Sequence, residues 1–127
     1  MENNSEKRKF KRVTTHIPVK YRKLGDTDTI MRSSTVSRNL SEGGVRFFTS
    51  EFMSRACRLV LELDVPMLTK PVKAISKVAW IKKSSMGEDF EIGNQFLEIS
   101  RKDKEIVSEY LKGLTLYNEP ENPIVSN

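Results

Sequence analysis

The sequence is dominated by short runs in which apolar and polar residues alternate. Alternation with a period of two is typical of a β-strand that buries one face and exposes the other. In the run at residues 72–81, the side predicted to be buried carries Val72, Ala74, Val78 and Trp80. Comparable runs lie at residues 17–21, 31–38, 45–48, 58–65 and 90–96, with a hairpin loop expected at 84–89. Six short strands at this spacing predict a mainly β chain folded as a small antiparallel barrel.

The period of the pattern changes after Ser100. This serine is a favourable helix N-cap, and Asp103 in the first turn complements the positive end of the helix dipole. An apolar stripe at helical spacing follows, formed by Ile106, Val107, Tyr110, Leu111 and Leu114. We expect the stripe to pack against the barrel. Gly113 favours the end of the helix, and prolonged packing through Leu114 and Leu116 is the alternative. A helix that binds a partner is the alternative left open.

Length and composition favour one compact domain. The chain has 127 residues, and its apolar fraction of 37% is sufficient for one core. Charges interrupt every apolar stretch, so no segment has the ~18–20 apolar residues of a membrane span. The first residues carry charge without an apolar segment behind it, so we expect no secretory signal and a cytoplasmic protein. We predict a flexible basic arm at 1–12, a barrel with its helix at 13–116, and a disordered tail at 117–127.

Positive charge is concentrated near the amino terminus. Residues 1–23 contain eight basic and two acidic side chains, whereas the remainder contains 14 basic and 15 acidic ones. A basic arm on a nearly neutral body attracts phosphate groups or acidic surfaces. A solvated tail without a function is the alternative.

Residue types that usually carry catalysis or hold metals are scarce. His16 is the only histidine and Cys57 the only cysteine, which excludes an internal disulfide and the usual zinc ligand sets. Turn chemistry explains Asp26 and Asp28 better than metal binding does. No HExxH, GxSxG or GxxxxGK sequence occurs. We therefore expect a chain that is not an enzyme and has no metal or other cofactor.

The arm contains the first segment that suits a specific ligand. Arg8 and Arg12 lie four residues apart on either side of Phe10. The planar guanidinium of arginine binds the O6/N7 edge of guanine, or a phosphate, through two parallel hydrogen bonds. The arginines therefore offer a guanine edge or a phosphate a planar grip that lysine lacks.

The second segment is the predicted turn at residues 39–44. Asn39 and Ser41 lie at alternate positions on an extended approach, so they present an amide and a hydroxyl on the same side. Gly43 and Gly44 then allow positive φ and the close approach of a ligand to the backbone. Each segment alone is a weak signal, but their order and spacing together are more specific.

Together the two segments resemble the PilZ domain, a bacterial family of receptors for the second messenger cyclic di-GMP. The family pattern is RxxxR followed by (D/N)xSxxG, and this chain carries these motifs at 8–12 and 39–44. The resemblance covers about residues 6–115 and continues at residues 45–47, 78–80 and 92–96 and in the closing helix. Lys7 stands where many members carry a further arginine.

The resemblance implies a non-catalytic, six-stranded antiparallel β-barrel with a C-terminal α-helix, which binds cyclic di-GMP at its surface. The expected ligand contacts are Arg8, Arg12, Asn39, Ser41, Gly44 and Arg46. The arginines of the arm are expected to hold guanine and phosphate, and the amide and hydroxyl of the turn the other guanine. The glycine gives room, and the arginine that leaves the turn is a further candidate for a phosphate.

The arm is expected to be the moving part. Besides Met1 its only large apolar side chain is Phe10, so it cannot bury enough surface to offset a backbone ordering cost of roughly 1–2 kcal/mol per residue. We expect it to become ordered over the turn when the anionic ligand binds. The altered surface would then signal to a downstream protein, for example one of the motility, secretion or biofilm machinery.

A barrel that binds single-stranded nucleic acid is the alternative function. Such barrels use exposed aromatic side chains on their strands as stacking platforms. We expect Phe47, Phe48, Phe90 and Phe96 in the core, which disfavours nucleic acid as a partner.

Overall fold

The computed structural model describes residues 12–25, 33–85 and 87–117. Within these residues the chain forms seven β-strands and one α-helix. The strands are β1 (Val13–Thr14), β2 (Pro18–Lys23), β3 (Ser33–Ser41), β4 (Gly44–Thr49), β5 (Arg58–Leu63), β6 (Val72–Lys83) and β7 (Phe90–Ile99), and the helix is α1 (Arg101–Tyr117).

The sheet closes on itself. Its strand order is β3-β2-β5-β6-β7-β4, and β4 pairs back to β3, with every pair antiparallel. The two-residue strand β1 pairs with β3 along the same edge that pairs with β2. The ring of six longer strands with its C-terminal helix confirms the predicted barrel. Closure matters because an open sheet would leave unpaired backbone groups along an edge.

The core consists of the inward side chains of the strands and one side of the helix. The largest fully buried residues are Phe47, Ile17, Leu40, Met53, Leu59, Leu61, Leu63, Ile92, Val19, Val72, Val78 and Val107. The predicted strands agree with the structure except near their ends. β3 continues three residues past its predicted end to Ser41, and β6 and β7 extend to Lys83 and Ile99.

The phenylalanines do not all lie where the sequence predicts. Phe47 is fully buried, and Phe96 packs against the edge of the core. Phe48 and Phe90 are half-buried outside it, which makes their predicted core placement wrong. Each lies beneath a cation: the Arg38 guanidinium is 5.3 Å from the Phe48 ring centroid, and a lysine ammonium is 5.5 Å from that of Phe90. Contacts with long charged side chains therefore cover these two rings.

Helix α1 packs by its predicted stripe and begins as predicted. Val107 is buried, and the hydroxyl of Ser100 accepts the N–H of Asp103 at 3.0 Å. Gly113 does not end the helix, which continues four residues beyond it to Tyr117. The packing of the stripe outweighs the low helix propensity of one glycine. No helix in the described part of the chain has the length and apolar character needed to cross a membrane.

A buried hydroxyl on β3 holds the segment that precedes β2. The Oγ of Ser37 accepts the backbone N–H of Ile17 at 2.9 Å and lies 2.6 Å from the Oγ1 of Thr15. The N–H of Ser37 donates to the carbonyl of Ile17, also at 2.9 Å. These bonds attach residues 15–17 to β3, so they fix the direction from which Arg12 reaches the barrel.

Replacement of Ser37 by alanine tests this attachment. We expect Ser37→Ala to lower the free energy of unfolding by about 1–3 kcal/mol, because the Ile17 N–H and the Thr15 hydroxyl both lose a buried partner. Urea denaturation measures the change. Ser34→Ala, at an exposed position of the same strand, is the matched control and should stay within about 0.5 kcal/mol of the wild type. Equal losses in the two variants would contradict the assignment.

Candidate functional site

A polar cleft lies on the outside of the barrel, beside the hairpin that joins β3 to β4. It has a volume of about 240 Å³. Its walls come from Arg12, the β3–β4 hairpin, residues 79–80 of β6 and residues 93–95 of β7. Five of the six predicted ligand contacts line it: Arg12, Asn39, Ser41, Gly44 and Arg46. The sixth, Arg8, lies outside the described residues.

Asn39 and Ser41 face the cleft from the end of β3. They are half-buried and flank the fully buried Leu40, so both side chains lie on the outer face of the strand. The Oγ of Ser41 accepts the N–H of Gly43 at 3.1 Å, which holds the hairpin turn. The turn is shorter than predicted because the strand persists to Ser41. The expectation of positive φ is wrong, since neither Gly43 nor Gly44 adopts it.

Gly44 is required by the close approach of β4 to β7. A Cβ atom at this position would collide with the backbone carbonyl oxygen of Asn94. Asn94 is itself fixed, because its buried amide donates to the carbonyl of Val45 at 3.4 Å and its Oδ1 accepts the Ser76 hydroxyl at 3.3 Å. The missing side chain at Gly44 is therefore a condition for closing the barrel.

We expect Gly44→Ala to lower the free energy of unfolding by about 1–3 kcal/mol, because the added methyl group must displace β7 backbone that cannot move freely. Chemical denaturation of the ligand-free protein measures the loss. Gly113→Ala is the matched control, since no atom lies within 4 Å of a Cβ built there. In a helix interior this change should raise the unfolding free energy by about 0.5–1 kcal/mol. A Gly44→Ala protein as stable as the wild type would contradict the steric argument.

Trp80 forms a wall of the cleft that the sequence analysis missed. The predicted alternation places it on the buried side of β6 with Val78, but a register shift between these two residues breaks the alternation. The half-buried indole instead covers Gly93 of β7 so closely that a Cβ there would collide with the ring. The sequence offered one signal for this contact, a single tryptophan in one predicted strand and a glycine in the next. The register that joins them becomes visible only in the assembled sheet.

A buried carboxylate on β7 holds Arg46. The Nε of Arg46 lies 3.0 Å from Oε2 of Glu91, which is 7% exposed, and the Lys82 ammonium lies 3.5 Å from Oε1. The Arg46 contact lacks the alignment of a hydrogen bond, so it is an ion pair. About a third of the Arg46 side chain remains accessible, at 32%. Arg46 thus reaches the cleft with a charge that Glu91 partly neutralises.

Arg12 reaches the cleft from the other edge of β3. It directly precedes β1, whose Thr14 pairs with Asn39, and its side chain is exposed. Pairing of β1 therefore places Arg12 beside the end of β3. The structure locates this carboxyl-terminal member of the predicted arginine pair, whereas the remainder of the arm lies outside the described residues.

The cleft combines cationic, amide and aromatic groups. Arg12 and Arg46 supply positive charge, Asn39 and Ser41 supply hydrogen-bond donors and acceptors, and Trp80 supplies an aromatic face. Such a set suits an anion that also carries aromatic rings. Within residues 12–25, 33–85 and 87–117, no cluster of three His, Cys, Asp or Glu side chains could hold a metal ion.

The model of the PilZ domain family matches residues 6–113 of the chain. The matched range contains both arginines of the arm and the whole β3–β4 hairpin. No curated protein matches the sequence.

Three solved structures illustrate the likeness of the fold. The Bacillus subtilis inhibitor of motility, MotI/DgrA, has a TM-score of 0.72 at 18% identity, covering 88% of this chain and 52% of that one. YcgR from Escherichia coli in complex with c-di-GMP has a TM-score of 0.70 at 15% identity. The match covers 93% of this chain and 50% of YcgR. The K. pneumonia MrkH complex with c-di-GMP has a TM-score of 0.67 at 16% identity. The match covers 90% of this chain and 55% of MrkH. The chain thus spans about half the length of each of these proteins.

Proposed function

The chain belongs to the PilZ domain family, whose members are non-catalytic receptors for cyclic di-GMP, and we propose that it binds this dinucleotide in the cleft beside the β3–β4 hairpin. The observation that carries the proposal is the meeting of Arg12, Asn39 and Ser41 around one cleft, although the arginine lies far from the other two in sequence. Cyclic di-GMP has two guanine bases and two phosphates. It therefore needs the cationic, amide and aromatic groups that this cleft combines.

The arginine pair supplies the main clamp in this proposal. The guanidinium fork of Arg12 binds a guanine edge or a phosphate, and Arg8 supplies a second fork when the arm lies over the cleft. Asn39 and Ser41 bind the edge of the other guanine. Ordering of the arm on binding is part of the proposal, because the ligand neutralises its like charges and supplies the contacts that the arm lacks.

Arg46 and Trp80 complete the proposed site. Arg46 binds a phosphate after the ligand displaces part of its ion pair with Glu91, whose carboxylate opposes an incoming anion. The indole of Trp80 offers a guanine base a flat face for stacking. Gly44 leaves the adjacent backbone accessible.

We propose that the receptor is cytoplasmic and acts through a downstream protein. A receptor that is not catalytic passes its signal on through a contact. MotI/DgrA is described as an inhibitor of motility, and motility machinery is therefore one candidate class of partner, beside secretion and biofilm machinery. For the single-stranded nucleic-acid alternative, Phe47 is fully buried and unavailable for stacking, whereas the half-buried rings of Phe48 and Phe90 are each covered by a cationic side chain.

Calorimetry tests the proposed ligand. We expect the full chain to bind cyclic di-GMP and to bind cyclic di-AMP at least about a hundredfold more weakly, because adenine lacks the O6 acceptor that an arginine fork requires. The linear dinucleotide pGpG and GTP are further controls. Equal affinity for the two cyclic dinucleotides would overturn the proposal. Tighter, salt-sensitive binding of a single-stranded oligonucleotide would favour the alternative.

The same titration with Arg12→Lys separates recognition from charge. Lysine keeps the positive charge but loses the fork, so we expect a loss of about 1–3 kcal/mol in binding free energy. The melting temperature of the ligand-free variant should stay near that of the wild type, because the Arg12 side chain is exposed. Normal binding by Arg12→Lys would show that only its charge matters.

Glu91→Gln tests the proposed competition for Arg46. We expect cyclic di-GMP to bind about threefold to tenfold more tightly, a gain of ~0.7–1.4 kcal/mol, because the variant removes the anion that occupies Arg46. Glu88→Gln is the matched control, since Glu88 is exposed and pairs with the exposed Lys83 at 3.5 Å; its affinity should equal that of the wild type. Weaker binding by Glu91→Gln would show that the carboxylate positions Arg46 for the ligand.

A further inference from the structure

A second charged surface lies on the outside of the barrel. The outward positions of β2, β5 and β6 form a face that we name the basic wall. It consists of Lys20, Arg22, Arg58, Val60, Glu62, Lys73, Ile75 and Lys77. Because these residues alternate with core residues along each strand, they share one side of the sheet.

The register of the three strands arranges the wall in rows. The first row is Lys20, Glu62 and Lys73; the second is Arg22, Val60 and Ile75; the third is Arg58 and Lys77. Cations therefore occupy the edges of the wall, and an apolar pair lies at its centre.

The wall carries an excess of positive charge, and two of its cations, Lys20 and Arg22, belong to the basic first 23 residues of the sequence. It carries five cationic side chains and one carboxylate. The ion pairs found in the described part of the chain lie elsewhere, at Lys23–Glu51, Arg46–Glu91, Lys82–Glu91, Lys83–Glu88 and Lys112–Glu109. None of the five cations of the wall forms an ion pair among the described residues, and the one carboxylate of the wall, Glu62, lies between Lys20 and Lys73 in the first row.

A groove with a mixed lining adjoins the centre of the wall. Val60, Lys73 and Ile75 line both, and the groove has a volume of about 960 Å³. Leu97 also lines it and is 40% exposed, at a register shift of β7 that offsets the alternation. The carboxylates of Glu42 and Glu98 are among the other lining groups. The wall is therefore a cationic surface with an apolar depression at Val60 and Ile75, beside a groove that also carries two carboxylates.

The groove is continuous with the ligand cleft. Gly43 and Gln95 line both cavities, and the N–H of Phe96 donates to the carbonyl of Gly43 at 2.9 Å. The third row of the wall lies two strands from the β3–β4 hairpin. Lys77 in this row pairs with Gln95 of β7, and Gln95 pairs with Gly44 of the hairpin. A partner seated on the wall and groove would therefore touch the hairpin that forms the cleft.

We propose that the basic wall and its groove are a docking surface for an acidic segment of a partner protein that also carries apolar side chains. Five unpaired cations around an apolar depression match that chemistry, because protein interfaces combine a charged rim with an apolar centre. Nucleic acid fits less well: no aromatic ring lies on the wall, and the one ring in the groove, Phe96, is half-buried. The charge and shape of the surface do not depend on the proposed ligand.

The test uses the full chain and a fluorescent peptide of alternating Glu and Leu residues, with binding followed by anisotropy. We expect saturable binding that weakens with salt, and no binding of the corresponding Lys/Leu peptide. Lys73→Glu combined with Lys77→Glu should weaken binding by at least about tenfold. Lys102→Glu combined with Lys112→Glu, at exposed positions of α1, changes the net charge equally and should leave binding within about twofold.

Three results would overturn the proposal. They are absent binding of the acidic peptide, equal losses in the two charge-reversed proteins, and tighter wall-dependent binding of a single-stranded or duplex oligonucleotide, which would assign the wall to nucleic acid. Circular dichroism confirms that each variant is folded. Should the reversed wall fail to fold, Lys73→Gln combined with Lys77→Gln takes its place, with a smaller loss of about threefold to tenfold expected. Unchanged binding there would equally overturn the docking surface.

Discussion

Pairing of β3 with β4 is the interaction on which the rest of the structure depends. β3 is bonded along both edges, to β1 and β2 on one side and to β4 on the other. Because of this, Asn39 faces Thr14 across one edge and Arg46 across the other. The same pairing closes the ring of strands and satisfies the backbone groups that an open sheet would expose. The cleft is thus located at the seam where the barrel closes.

The cleft lies where the regular sheet is interrupted. A register shift in the β3–β4 pairing falls between Ser37 and Asn39, and another in the β6–β7 pairing precedes Trp80. Such irregularities redirect side chains and are common beside functional sites. Two glycines allow the remaining close contacts: Gly44 approaches the β7 backbone, and Gly93 lies under the indole. Regular pairing therefore supplies the stability of the barrel, and its interruptions supply the shape of the cleft.

The cleft and the basic wall differ in how their positive charges are paired with carboxylates. At the cleft, Glu91 restrains Arg46, so the ligand-free site holds one of its cations in an internal ion pair. On the wall formed by β2, β5 and β6, five cations share one carboxylate, Glu62, and none of them forms an ion pair among the described residues. An anion at the cleft would therefore compete with a carboxylate, whereas the proposed acidic partner would meet an excess of positive charge. Gly43 of the hairpin lines both the cleft and the groove beside the wall.

Local periodicity was sufficient to predict the six strands, the helix and its N-cap, since each depends on residues close together in sequence. Spacing within two short motifs was likewise sufficient to identify four of the residues that line the cleft. Local pattern failed at Trp80, at the half-buried Phe48 and at the reason for Gly44. Each of these depends on how strands distant in sequence align, and on side chains that reach across that alignment. The basic wall arises in the same way: its charges come from three separate strands and become one surface only when barrel closure sets the register of β2, β5 and β6. The sequence by itself therefore determined the elements and the chemistry of the proposed ligand, while the tertiary structure alone decided which residues became neighbours, because register is a property of paired strands and not of either strand alone.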